Sequence, residues 1–137
     1  MIPPGELIDA AWGDPDAQVL LAKRALAAGT LGHADRVVST VESLTFARLA
    51  AAQGSIGGIG LVVALSAQLA DLMDSAGQQD SATDLRGEAL AVADVAMDRT
   101  DDESLGEILG AFLASADAAG PEVAQAATPY RRFWQDL

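Results

Sequence analysis

Along most of this chain apolar side chains recur every three or four positions, and no segment alternates cleanly between apolar and polar residues. That spacing gathers side chains on one side of a helix, whereas a period of two would build a strand face. Val37, Val38, Val41 and Leu44 share one side of such a helix, and Leu61, Val62, Leu65, Leu69 and Leu72 share another. Ile108, Leu109, Phe112 and Leu113 repeat the pattern near the end. Alanine, the best intrinsic helix former, is the commonest residue and lets helix axes approach closely. The pattern predicts an all-α protein of seven or so helices, one domain over residues 1–137, its helices stacked as antiparallel hairpins in a short repeat-like solenoid. A compact helical bundle is the alternative arrangement.

Helix boundaries follow from the punctuation. Asp14-Pro15 predicts a start, with Asp as N-cap and Pro preset at the first helical position. This first helix runs over about 15–28 and stops at Gly29, which can take the left-handed terminal conformation without a Cβ clash. A second begins near His33 or Ala34 and ends at Ala52, before Gly54. The third starts between Ile56 and Leu61, its onset blurred by Gly57, Gly58 and Gly60, and ends before Gly77. A fourth covers about 80–97. Thr100-Asp101-Asp102-Glu103 has capping-box form and opens a fifth helix toward Gly120. Gly120-Pro121 and Thr128-Pro129 predict two short terminal helices, the last over about 129–136.

Two stretches carry a resemblance. In Gly77-Gln78-Gln79-Asp80-Ser81-Ala82, followed by Ala89-Leu90, Gly leads Ala by five residues and the Ala-Leu pair by twelve. This resembles the junction of a tetratricopeptide-type repeat, in which Gly ends one helix and a small residue packs beneath it. Phe46-Ala47-Arg48-Leu49-Ala50-Ala51-Ala52-Gln53-Gly54 is similar to a repeat boundary of the Sel-one-like branch. The resemblance covers about residues 17–97, with Leu85 and Arg86 standing where the repeat usually has aromatics. It implies a scaffold or adaptor surface rather than a catalyst.

Charge changes the picture next. The 137 residues carry 20 acidic and 8 basic side chains, a net charge of −12. Phosphate binding needs clustered Lys and Arg, so nucleic acid is not an expected partner. The absence of Cys excludes disulfides and thiolate sites, and fits a reducing, cytoplasmic setting. The N-terminus lacks the basic start and apolar run of a secretory signal. The most apolar stretch, 56–70, is interrupted by Ser66 and Gln68 and ends at Asp71, as a buried central helix would. No membrane partner is expected.

The strongest chemical signal is acidic. Eleven carboxylates lie between Asp71 and Glu107, against Arg86 and Arg99. On a helix, Asp80, Asp84, Glu88, Asp94 and Asp98 fall within about 120° of arc. Such an arc is a solvated face or a surface that steers a basic partner. The one basic, aromatic cluster is Tyr130-Arg131-Arg132-Phe133-Trp134. Arg and aromatics dominate binding hot spots, so Arg131, Arg132 and Trp134 join the candidate partner-binding residues; otherwise Phe133 and Trp134 simply close the core. A tail docked on the acidic helix of a second copy would make a symmetric homodimer.

Other constellations have simpler explanations. Asp101, Asp102, Glu103 and Glu107 lack the alternating ligands of a calcium loop and suit a helix's first turn. His33 is the only histidine, with no nucleophile elbow near it. Gly54-Ser55-Ile56-Gly57-Gly58-Ile59-Gly60 has no Gly-Lys-Ser/Thr and no G-x-G-x-x-G register, so its glycines suit a turn and close packing. No catalytic residue, metal ligand or cofactor is expected. The function expected is non-catalytic protein–protein interaction, an adaptor or scaffold binding a peptide or helix of a basic partner. The rivals are a small acidic inhibitor of a basic or nucleic-acid-binding protein, and a small-ligand-binding helical protein or enzyme.

Overall fold

In the computed structural model, which describes residues 13–30, 35–116 and 120–135, six helices make up nearly all of the described chain. They are α1 (Pro15–Thr30), α2 (Arg36–Ala52), α3 (Ile56–Ser75), α4 (Gln79–Arg99), α5 (Glu103–Ala116) and α6 (Pro121–Gln135). Among the described residues there is no strand, so the protein is all-α. The helices fall into two compact units, one ending at Leu65 and the other beginning at Ser66.

In the first unit α1 and α2 run antiparallel. Gly29 lies beside Ser39, the Ser43 hydroxyl donates to the Ala22 carbonyl at 2.6 Å, and Gln53 Nε2 donates to Gln18 Oε1 at 2.7 Å. The facing surfaces are small: Ala17, Ala22, Ala25 and Gly29 against Ser39, Ser43, Ala47 and Ala50. A Cβ placed on Gly29 would lie 2.7 Å from that of Ser39, so these helices approach more closely than larger side chains would permit. Gly29 therefore serves helix packing. It lies within α1 and is absent from the positive-φ glycines, contrary to its expected role as a left-handed stop.

The same closeness turns the buried face of α2 away from most of the expected one. Leu44 is buried, but Val38 and Val41 are 52% and 45% exposed, and Thr40, Ser43, Ala47 and Ala51 point inward. Branched Val side chains are too bulky for the seam. Small hydroxyls fit because each satisfies a carbonyl, as Thr40 does with Arg36 at 2.7 Å. Asp35 starts α2 by accepting from the amides of Val37 and Val38 at 2.9 and 3.1 Å, slightly later than the sequence suggests. Gly54 closes it at φ 84°, with Ser55 N–H bonded to the Ala50 carbonyl and Gly54 N–H to that of Ala51. These two bonds satisfy carbonyls that the helix end would orphan. The glycines beyond it lie inside α3, where a Cβ on Gly58 would sit 2.6 Å from the Ala51 nitrogen.

In the second unit Gly77, at φ 79°, closes α3 with the same pair of bonds, from Gln78 to Met73 and from Gly77 to Asp74. Arg86 of α4 then reaches back to Asp74 at 2.6 Å and Asp71 at 3.0 Å on α3. Its hydrogen bond to Asp74 raises the guanidinium pKa above its ordinary value; partial burial opposes this and Asp71 adds to it. Folding therefore favours the charged form, a contribution present at every pH below the free arginine's pKa and lost only above it. The helix α5 starts two residues later than its capping box implies. Asp102 accepts from the Leu105 amide at 2.7 Å, while the Thr100 hydroxyl accepts from the Asp102 amide at 3.1 Å.

The two short terminal helices of the sequence reading are one helix, α6, with Pro129 inside it. Proline removes a helix hydrogen bond and strains the preceding turn, at a cost of about 3 kcal/mol. Pro129 is on the exposed side of the helix. Contacts with α4 on both sides of it, through Ala126 and Ala127 before and Arg131 and Trp134 after, hold the helix through the break. Leu105 and Leu109 of α5 complete this core.

Candidate functional site

The middle of the acidic helix α4, from Gly87 to Ala96, is largely buried. Between its carboxylates run Gly87, Ala91 and Val95, four residues apart, and all three are buried. This stripe of small side chains lies within the acidic arc, and it is the seat of α6. A Cβ on Gly87 would meet the Ala126 carbonyl carbon at 2.7 Å and the Ala127 nitrogen at 2.8 Å, so the two backbones touch where the helices cross. From that crossing α6 runs in the same direction as α4. Arg99 at the end of α4 donates to the carbonyls of Trp134 and Gln135, at 3.2 and 2.6 Å, at the end of α6.

The basic, aromatic tail thus docks on the acidic helix of its own chain. The Tyr130 hydroxyl donates to Asp84 at 2.6 Å. Arg131 engages a single carboxylate oxygen of Asp94 through both Nε, at 3.1 Å, and Nη2. Both partners of that ion pair are about one-third exposed, so its net contribution is at most about 1 kcal/mol. Trp134 is buried at 8% exposure, and Phe133, 57% exposed, meets it edge-on at 5.5 Å between ring centres.

The eight candidate residues are therefore sorted by the fold. Asp80, Asp98 and Arg132 remain exposed. Asp84, Asp94 and Arg131 are engaged between α4 and α6. Glu88, at 2% exposure, and Trp134, at 8%, are buried. Nothing local to the sequence marks Tyr130 as a specific ligand of Asp84, or Gly87 as the contact point. The usable signal was the small-residue spacing of Gly87, Ala91 and Val95 inside the acidic arc, a mark of close helix packing. His33 lies outside the described residues.

Beside the crossing, α4, α5 and α6 line a groove with two neighbouring hollows. One, of about 320 Å³, is lined by Leu90, Asp94, Leu113, Ala124 and Arg131 among others. The second, of about 260 Å³, has Asp94, Met97, Asp98, Leu113, Arg131 and Gln135. Asp94, Leu113 and Arg131 belong to both. Asp94 and Asp98 stand one helical turn apart on α4, opposite the apolar side chain of Leu113 on α5. The groove offers aliphatic walls and carboxylates, a setting for a long side chain with a cationic end. No group of three or more His, Asp or Glu side chains suited to a metal occurs among the described residues. The helix α3 is long and apolar enough, by length and composition alone, to cross a membrane. Comparison with protein families, curated proteins and solved structures finds no match to this chain.

Proposed function

We propose that this protein is a non-catalytic interaction module of the cytoplasm, and that the groove beside α4 receives a basic helix or peptide of a partner protein. One observation carries the reading: Asp94 already holds an arginine side chain, Arg131, in a groove walled by Leu113 and bordered by Asp98. A partner's Lys or Arg would lay its aliphatic stem on Leu113 and Met97 and place its charge between the two carboxylates. The net charge of −12 attracts such a partner from a distance and repels an acidic one. Arginine suits the site better than lysine, because its planar fork can bond two oxygens at once.

The test is calorimetric titration with a helical peptide of Lys, Arg and Leu, beside a control in which Glu replaces the basic residues. The basic peptide is expected to bind and the control to fail. Raising salt from about 0.05 to 0.3 M shortens the screening length and should weaken binding severalfold. The Asp98→Asn substitution should weaken it about two- to fivefold, the range of one partly exposed ion pair. Equal binding of both peptides, or binding indifferent to salt, would refute the reading.

A further inference from the structure

We infer that the end of α6, beyond Pro129, is a displaceable occupant of the α4 groove, and that a basic partner binds by taking the place Arg131 vacates. This rests on the groove reading above and adds that the site is regulated in cis. Three features of the structure converge on it. The first is where α6 is anchored. Before Pro129 it is fixed by buried Val123 and Ala127 and by the backbone contact with Gly87, none of which a charged ligand could replace. The second is what holds the remainder. Beyond Pro129 α6 is held to α4 by the bonds of Tyr130 to Asp84 and Arg131 to Asp94, by those of Arg99 to the Trp134 and Gln135 carbonyls, and by the burial of Trp134. Polar contacts of this exposure are readily exchanged for equivalent ones from another chain.

The third feature is the join. Pro129 has no N–H to donate, so the final turns are tied to the rest of α6 by one hydrogen bond fewer than an uninterrupted helix would supply. A break at that position allows local opening without loss of the anchor, in the manner of low-stability segments elsewhere. Opening frees Asp94, enlarges the shared hollow around Leu113, and exposes the Trp134 indole. Arg131 therefore acts as an internal stand-in for the partner's arginine. The module binds weakly at rest and more tightly once the latch is released.

The experiment uses the full chain in a Trp12→Phe background, which leaves Trp134 as its one tryptophan, and the same Lys/Arg/Leu peptide. Arg131→Ala removes the stand-in and should tighten peptide binding about two- to fivefold. Arg132→Ala removes an equal charge from the neighbouring exposed position and should change affinity by less than about 1.5-fold. Tyr130→Phe, which keeps the ring and its packing, provides a second route and should tighten binding about twofold. At saturation Trp134 emission should shift to the red in the unaltered latch, and Pro129→Ala should diminish that shift. Equal effects of Arg131→Ala and Arg132→Ala, or an unmoved Trp134 emission on binding, would overturn the latch while leaving the groove intact. A peptide that binds none of these proteins would overturn both.

Discussion

Glycine has opposite meanings at different positions of this chain, and the difference is steric. At Gly87 the α6 backbone occupies the space a methyl group would need, at 2.7 Å. At Gly106, inside α5, nothing lies within 4 Å of the same methyl group. Gly106→Ala should therefore stabilise the protein by about 0.5–1 kcal/mol, through lower chain entropy in the unfolded state. Gly87→Ala should destabilise it by about 1–3 kcal/mol, because two backbones must separate. Urea denaturation of both variants checks the sign of each. From the sequence alone both are helix-interior glycines with similar helical surroundings. Only the position of Ala126 distinguishes them.

At the scale of the element, the helices were legible because Ala-rich periodicity and punctuation are local signals. Gly54 and Gly77 end α2 and α3 as expected, since a left-handed turn is a property of the few residues that make it. The misplaced features are those that a neighbour decides. Gly29 ends nothing because Ser39 lies against it, and Pro129 divides nothing because α4 grips α6 on both sides of it. The cap of α5 is Asp102 rather than the Thr100 of its capping-box sequence. Since Asp102 makes the bond to the Leu105 amide, Asp102→Ala should cost about 1 kcal/mol. Glu103→Ala, which would open a capping box closed at Glu103, should cost no more than about half that. Thermal denaturation followed by circular dichroism separates the two assignments.

At the scale of the molecule, charge is in excess and only partly paired. Twenty acidic side chains face eight basic ones, and Arg86 and Arg131 are already committed to carboxylates on neighbouring helices. Mutual repulsion among the remainder opposes compaction. The screening length falls to about 8 Å at 0.15 M salt and about 3 Å at 1 M. The melting temperature should therefore rise by a few degrees between about 0.02 and 0.5 M NaCl, even though the same salt weakens the Arg131–Asp94 pair. A fall would mean that the intrachain pairs outweigh the repulsion. The same ionic strength should lower affinity for a basic peptide, so stability and binding move in opposite directions.

The order of residues determined the helical class of this protein, most of its helix ends and the accumulation of carboxylates on one arc of α4. Those features depend on bonds and spacings within a single helix or turn. The tertiary structure decided which side of α2 faces inward, which glycines are seams, and what occupies the acidic arc. The last of these links residues 84 and 130, or 94 and 131, across distances in the chain over which helical periodicity carries no information. Packing chose among surfaces that were equally helical, because only the shape of the neighbour determines whether a methyl group fits.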